Sequence, residues 1–395
     1  MSILAQHGHA KSNKIEEALR NGTIGGIIYG PRNEKPDSLI RCIENIAVEF
    51  PQALRLIDPQ FYACTVAGGR TGKLDEYEYF NSDLSYRDLR TGNDIQRYVH
   101  AAIDFQLRTS VTHICAPTLA IDSLNDRWSA LAVSFAEESI AHYRRVNDRR
   151  RLLVSFVIHE QALRDEGQVD EFLDLLTELS CDSFYLVLNH EASSYTQDEN
   201  SDTLAGFLYL IYVLTQLNGC SVYVGYSDFI SIVLHAVGAG ATGSGWNQGE
   251  RRFSMAKFEP KTGGRRAVPR YSSRPLLNSI SITPEMDAIY ELRYIRRILS
   301  GTRYDAQFRD HLPSTVDWPD RISALHHWET LHDLVEPMEG EATVTARIDR
   351  AVAQIERAQT IYGQLRDVPF SPQSGPNHLV SWLNGIESFR SRAGI

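Results

Sequence analysis

Two short apolar runs in the middle of the chain each end in a His-Glu pair. Residues 152–158 precede His159-Glu160, and residues 184–189 precede His190-Glu191. Such runs are typical of strands buried on both faces of a parallel sheet. The helical pattern of 168–179 between them predicts a right-handed crossover. Both pairs are therefore expected at the carboxyl edge of one sheet, where α/β folds place their functional sites.

The same alternation of strand and helix patterns extends over the first 300 residues. Strands are predicted at 25–29, 53–57, 111–116, 152–158, 184–189, 221–225, 241–246 and, from the least regular pattern, 267–271. Eight such units predict an α/β fold, a TIM-like (β/α)8 barrel. The alternative is an open doubly wound parallel sheet. The spacing favours the barrel, and no GxGxxG follows the first predicted strand.

Beyond Gly301 the pattern becomes purely helical. Apolar residues between Val344 and Leu365 recur at alternating steps of four and three, which is a heptad seam. We predict a barrel domain at 1–300 and a helical extension at 301–395 that packs on it. The alternative is that the seam binds a second copy of the chain or another protein.

Composition limits the classes of partner. The 395 residues carry a formal net charge of -10, so any nucleic-acid role must come from a local basic patch. The five cysteines form no CxxC pair, which argues against a zinc ribbon or a disulfide framework. The chain starts without a signal-peptide pattern, and its longest apolar stretch is short for a membrane span. We therefore expect a cytoplasmic protein that makes no membrane contact.

A basic segment follows the seventh predicted strand. Residues 249–274 contain eight Arg or Lys residues, Lys261, Arg265 and Arg266 among them, against two acids. In barrels the loops after strands seven and eight often hold phosphate through glycine N–H groups. The predicted phosphate-binding residues here are Gly243, Ser244, Gly245, Arg251, Arg252, Arg270 and Arg274. The alternative is a solvated charged surface.

A long excursion after the second predicted strand covers residues 60–91. It brings Arg70 and Lys73 to the same face, and Arg32 follows the first predicted strand. Four aromatic residues could form a lid that stacks a base, namely Tyr77, Tyr79, Phe80 and Tyr86. The alternative is a mobile surface loop. If the two segments converge, the ligand is expected to be a phosphorylated small molecule or a nucleic acid.

The strand ends supply the candidate catalytic groups, which are Asp58, His159, Glu160, His190, Glu191 and Asp228. Clustered carboxylates can divide the roles of general acid and base, and a histidine can transfer the proton instead. Each histidine alone is explained by a structural hydrogen bond, so the functional interpretation depends on the cluster. His326 and His327 lie on a tail helix without i,i+4 spacing, which argues against a metal site there.

One motif offers a resemblance. His7-Gly8-His9, with histidines at two later strand ends and Asp228, resembles the metal-dependent amidohydrolase barrels, whose HxH closes the first strand. The chain departs from that pattern, because only Ser2–Ala5 could form that strand and the aspartate comes one strand early. A disordered N-terminus is the competing explanation of His7 and His9.

The preferred hypothesis is a barrel enzyme, a hydrolase or a glycosyl or group transferase. Its expected substrate is a phosphate-bearing molecule, a nucleotide or nucleic acid, cleaved or transferred with carboxylate or histidine assistance. No cofactor is predicted, although a divalent metal is compatible with the residues. The alternatives are a divalent-metal hydrolase of the amidohydrolase type and a non-catalytic barrel that binds nucleic acid or protein.

Overall fold

The computed structural model describes residues 2–192, 196–260 and 268–395. Eight parallel strands form a nearly closed barrel surrounded by helices, which confirms the predicted (β/α)8 fold. The strands lie in the order β3-β2-β1-β9-β8-β7-β6-β4, and a short β5 adds to the edge of β6. Their bounds are β1 Ser2–Gln6, β2 Gly26–Tyr29, β3 Leu54–Ile57, β4 His113–Cys115, β5 Ala120–Ile121, β6 Arg151–His159, β7 Ser183–Asn189, β8 Ser221–Gly225 and β9 Ala241–Ser244.

The first and last strands of the barrel differ from the prediction. Strand β1 lies between β2 and β9, with Leu4 opposite both Gly26 and Gly243. The expectation of a disordered N-terminus was therefore wrong, because three apolar residues between polar neighbours are too few to show a period. The strand predicted at 267–271 is not part of the barrel. Its residue 267 lies outside the described part of the chain.

That segment belongs to a separate hairpin. Strand β10, Arg270–Ser273, pairs antiparallel with β11, Asn278–Ser281. The two strands form their own two-stranded sheet, which packs against the C-terminal helices. Residues that follow β9 therefore leave the barrel.

Hydrogen bonds close the barrel between β3 and β4. The backbone N–H of Thr112 donates to the carbonyl of Arg55 at 2.9 Å, and the N–H of Arg55 donates to Thr112 Oγ1 at 2.9 Å. The buried Arg55 guanidinium donates to the carbonyls of Ala53 and Ser110. These bonds satisfy polar groups that a regular strand pair would otherwise use.

Helices surround the barrel, and a further group covers one side of it. Their bounds are α1 Lys14–Arg20, α2 Pro36–Glu49, α3 Tyr86–Leu89, α4 Gly92–Leu107, α5 Arg127–Val146, α6 Glu166–Glu178, α7 Ser201–Tyr212, α8 Ser231–Ala236, α9 Asp287–Glu291, α10 Ile295–Ile298, α11 Ala306–Arg309, α12 Asp320–Val335, α13 Val344–Gln364 and α14 Asn377–Ala393. Among the described residues, no helix is both long and apolar enough to cross a membrane.

The C-terminal helices pack on the barrel through apolar and hydrogen-bonded contacts. Helix α12 lies against β1 and β10, and the buried Trp328 donates its indole N–H to Ser244 O at 2.8 Å. Helix α14 lies against α7. The predicted heptad seam is buried within the chain, at Ile348, Ala351, Ile355, Ala358, Tyr362 and Leu365.

Replacement of Trp328 by Ala tests the contribution of α12 to barrel stability. The change leaves a large cavity and an unpaired carbonyl beside β9, so we expect a loss of about 3–5 kcal/mol in the free energy of unfolding. Urea denaturation followed by circular dichroism measures it. Val380→Ala is the control, because Val380 is 54% exposed, and we expect it to cost about 0.5 kcal/mol or less. Similar losses in the two variants would contradict this role of α12.

Candidate functional site

Two cavities lie at the carboxyl edge of the barrel, and His190 lines both. The open cleft has a volume of about 390 Å³. It is lined by Thr65, Ala120, Asp122, Trp128, His159, Asn189, His190, Glu191, Ser254, Met255, Ala256 and Glu259. The narrow cavity has a volume of about 30 Å³, which is room for water but not for a substrate. Its polar lining includes His190, Gln197, Glu199, Asp228, Arg251 and Arg252.

A network of charged groups surrounds His190. Its Nδ1 lies 3.0 Å from Glu160 Oε2 and 3.5 Å from Glu199 Oε2. The Arg252 guanidinium forms a short ion pair with Glu199 and lies 3.9 Å from Glu160 Oε2. Asn200 caps α7 by accepting from two backbone N–H groups, which fixes the chain next to Glu199. Glu160 and Glu199 thus share one guanidinium and one imidazole as their polar partners.

The contacts of Glu160 determine which nitrogen of His190 carries a proton. Hydrogen bonding from His190 lowers the pKa of Glu160 to about 2, with further help from the Glu191 N–H and from Arg252. An ionised carboxylate only accepts hydrogen bonds, so Nδ1 is the protonated nitrogen. His190 Nε2 makes no hydrogen bond to a described residue. The pair therefore presents an oriented imidazole with a free basic nitrogen.

Asp228 lies on the wall of the narrow cavity. Its Oδ2 accepts from Gln197 Nε2 at 3.0 Å, whereas the buried Oδ1 has no hydrogen-bond partner among the described residues. Burial raises the pKa of Asp228, and Arg251 opposes that shift. His327 Nε2 lies 3.8 Å from Oδ1 and bonds to Ser244 Oγ at 2.9 Å. A tail histidine thus reaches the barrel interior without serving as a metal ligand in any described cluster.

Asp58 lies in the barrel interior and lines neither cavity. Its Oδ2 accepts from Tyr62 at 2.8 Å, from Tyr226 at 3.1 Å and from Tyr185 at 3.5 Å. Burial raises the pKa of Asp58, against the hydrogen bond from Tyr62. The Lys257 ammonium lies 4.4 Å from the centre of the Tyr226 ring. The structure thus separates Asp58 from the cluster around His190.

Three tyrosines of this buried group were missed by sequence reasoning. Tyr185 lies within β7, where it resembles an ordinary apolar strand position, and Tyr226 directly follows β8. Tyr62 lies in the excursion after β3. Glu199 was also missed, because it precedes a helix rather than follows a strand. The only feature of the sequence that could have indicated Glu199 is its position one residue before the helix cap Asn200.

The basic segment after β9 supplies internal contacts. Arg251 and Lys257 are each less than 10% exposed, and Arg251 Nε donates to Gly245 O. Arg270 and Arg274 lie on the hairpin and contact the tail through Ser374 and Asp333. Lys261, Arg265 and Arg266 lie outside the described residues. Most of the predicted phosphate-binding arginines are therefore already engaged within the chain.

The two segments predicted to converge do meet. Arg32 Nη2 donates to Lys257 O at 2.9 Å and Arg32 Nε donates to Arg70 O at 3.1 Å. The Arg70 N–H also donates to Phe258 O. Lys73 is on the exposed side, 3.2 Å from Glu76. These bonds hold the excursion and the basic segment together over the barrel.

The glycines and aromatic residues of these segments have packing roles. A Cβ at Gly243 would come within 2.8 Å of Gln6 Oε1, and one at Gly245 within 2.2 Å of Glu250 Cβ. Ser244 is fully buried. Tyr77, Tyr79 and Phe80 are buried, and Tyr86 packs on Trp128. Three of the four aromatic residues expected in a lid over the mouth are therefore part of the core instead, and Tyr86 is partly buried.

The remaining strand-end residues divide between the cleft and other surroundings. His159 and Glu191 both line the open cleft, and His159 Nδ1 accepts the Gln161 N–H at 3.3 Å as a cap. His7 follows β1, is buried, and neither ring nitrogen has a hydrogen-bond partner among the described residues. Burial lowers the pKa of His7 to about 3. His9 is exposed, so the HxH motif does not bring two imidazoles to one buried point.

The low pKa of Glu160 predicts a pH-dependent stability. The pKa of Glu160 falls from 4.5 to about 2, which at 1.36 kcal/mol per pKa unit corresponds to about 3 kcal/mol. We expect Glu160→Gln to lower the free energy of unfolding by about this amount at pH 7. The contribution is fully present above pH 4.5 and is lost towards pH 2, so the difference between wild type and variant should shrink over that range.

Urea denaturation at several pH values measures this difference. Glu191→Gln is the control, because Glu191 is exposed on the same cleft, and we expect an effect within about 0.5 kcal/mol. A difference that stays constant between pH 7 and pH 3 would argue against an ionised, hydrogen-bonded Glu160.

Comparison of the chain with protein-family models, curated proteins and solved structures finds no match.

Proposed function

We propose that this chain is an enzyme, a hydrolase or group transferase, in which His190 acts as the general acid and base. The observation that carries the proposal is the 3.0 Å pairing of His190 Nδ1 with Glu160 on the wall of the open cleft. The cleft lies at the carboxyl edge of the barrel, where (β/α)8 enzymes have their active sites. A volume of about 390 Å³ suits a small substrate or part of a larger one.

The pairing supports a defined division of roles. Glu160 accepts the Nδ1 proton and thereby keeps the imidazole in the tautomer whose Nε2 is basic. When Nε2 takes a proton from a hydroxyl or water, the ionised Glu160 stabilises the resulting imidazolium. The same nitrogen then returns the proton to the leaving group. Arg252 balances Glu199, so the second carboxylate adds little negative charge to His190.

The charges of the cleft point to the chemistry of the reacting group. Asp122, Glu191 and Glu259 line it and make no ion pair with a described residue. A phosphate group there would be repelled by these carboxylates. Arg251 and Arg252, which were predicted to bind phosphate, already bond within the chain. We therefore propose that the reacting group is uncharged, such as a glycosidic or ester bond, with Trp128 available for stacking.

A panel of p-nitrophenyl glycosides, esters and phosphates tests the proposal. We expect turnover among the uncharged members. His190→Asn keeps a donor for Glu160 but removes the base, and should lower kcat by about 10²–10⁴-fold. His159→Asn is the matched control, because His159 lines the same cleft without a carboxylate partner, and should change kcat by less than about twofold.

The outcomes separate the two parts of the proposal. Turnover confined to phosphate esters would contradict the uncharged reacting group and favour the phosphate-bearing substrate expected from the sequence. Equal kcat in wild type and His190→Asn would contradict the role of His190, whatever the substrate.

A second candidate is a divalent-metal hydrolase. Three side-chain atoms that could bind a metal lie within 4.8 Å of one another, one each from Glu160, His190 and Glu199. This spacing is compatible with a metal site. Arg252 lies within ion-pair distance of both carboxylates, however, so a metal ion would have to compete with it for them. A metal would also have to displace the proton on Nδ1. These two contacts therefore favour metal-independent chemistry.

A titration with MnCl2 or ZnCl2 distinguishes the two candidates. For the metal-independent enzyme we expect no rise in Tm and no loss of turnover with a chelator, because Arg252 already pairs with the carboxylates that a metal would need. A Tm that rises with metal in wild type but not in Glu199→Gln would favour the metal hydrolase.

A further inference from the structure

A basic cleft lies at the amino edge of the barrel, the opposite edge from the His190 cluster. Its volume is about 560 Å³. The lining residues come from the end of α5, the start of β6 and the turn before β7. They are Ile140, Tyr143, Arg144, Arg149, Arg150, Arg151, Leu152, Ser180, Cys181 and Asp182.

One of the four arginines holds the cleft in shape. Arg150 forms an ion pair with Asp148 at 2.9 Å and donates to the carbonyls of Leu107 and Thr109 at the end of α4. Tyr143 donates to the carbonyl of Arg150. These bonds fix the turn between α5 and β6, and so they fix the positions of the neighbouring arginines.

The other three arginines are exposed and weakly compensated. Arg144 donates to Ser180 O at 3.1 Å, and Arg151 lies 3.9 Å from the largely exposed Asp182. Arg149 makes no hydrogen bond or ion pair with a described residue. Guanidinium groups held close together repel one another, and a bound anion removes that repulsion. This local excess of positive charge occurs in a chain of net charge -10.

The floor of the cleft is partly apolar. Ile140, Tyr143 and Leu152 line it together with the arginines. Arginine side chains recognise phosphate through pairs of N–H donors, and apolar or aromatic surfaces accommodate the rest of a phosphorylated molecule. A volume of about 560 Å³ is in the range of small-molecule sites.

We propose that this amino-edge cleft binds a phosphate-bearing small molecule about the size of a mononucleotide. Arg149 and Arg151 hold the phosphate group, and Arg144 adds positive charge at the rim of the cleft. The side of the cleft that Tyr143 lines faces the uncharged part of the ligand. The site is separate from the His190 cleft, so its occupancy does not depend on the reaction proposed there. It provides the chain with a phosphate site even though the carboxyl-edge cleft is acidic.

Isothermal titration with pyrophosphate and with AMP tests the proposal on the full chain. We expect binding at low salt that weakens as ionic strength rises. The double variant Arg149→Gln with Arg151→Gln should lower the affinity for both ligands at least tenfold. The control is Arg87→Gln with Arg90→Gln, which removes the same charge from exposed positions on and just after α3 and should change affinity less than twofold.

A second variant guards against misfolding. Arg149→Gln alone removes a side chain that makes no hydrogen bond or ion pair with a described residue, and it should still weaken pyrophosphate binding severalfold. The proposal is overturned if wild type binds neither ligand at low salt, or if the double variant binds as tightly as wild type. It is also overturned if binding is lost in Arg252→Gln instead. His190→Asn should leave it unchanged, so failure of the proposed reaction and failure of this site remain distinguishable.

Discussion

The carboxyl edge of the barrel depends on the pairing of charged groups that are largely shielded from solvent. Glu160 and Glu199 are removed from most of the solvent, and an ionised carboxylate without a partner is very unfavourable there. Arg252 and His190 supply the partners. Because Arg252 belongs to the segment after β9, this ion pair also fixes how that segment crosses the mouth. The pairing of these charges and the shape of the mouth are therefore one constraint.

The crossing segment divides the mouth into distinct environments. The backbone N–H of His190 donates to Phe253 O, and the Asn189 side chain accepts a hydrogen bond from the backbone N–H of Met255. These two bonds tie the segment to the end of β7. On one side the open cleft remains accessible to solvent. On the other side Phe253 and Lys257 close over Asp58 and its tyrosines. A polar barrel centre is thus enclosed, while His190 at its border lines the open cleft.

Much of the fold was predictable, because buried parallel strands are short apolar runs whose ends share an edge. The pattern of β6 and β7 therefore located His190 and Glu160 correctly. Partners supplied by side chains distant in sequence were not predictable. Arg252 lies in a basic segment and was therefore predicted to bind phosphate. Its partner Glu199 lies in a loop, where no strand pattern indicates its position. Likewise, β1 is too short to show a period, and only its pairing with β2 and β9 identifies it.

The position of β1 has a consequence for how the chain folds. Ser2 pairs with Ala241, about 240 residues later, so one edge of the first strand has no partner until β9 has been synthesised. Contacts this distant in sequence slow folding, since a long loop must close before the contact forms. An unpaired strand edge is also a template for association between chains. We therefore expect the nascent chain to be most prone to aggregation before β9 is complete, and the closed barrel much less so.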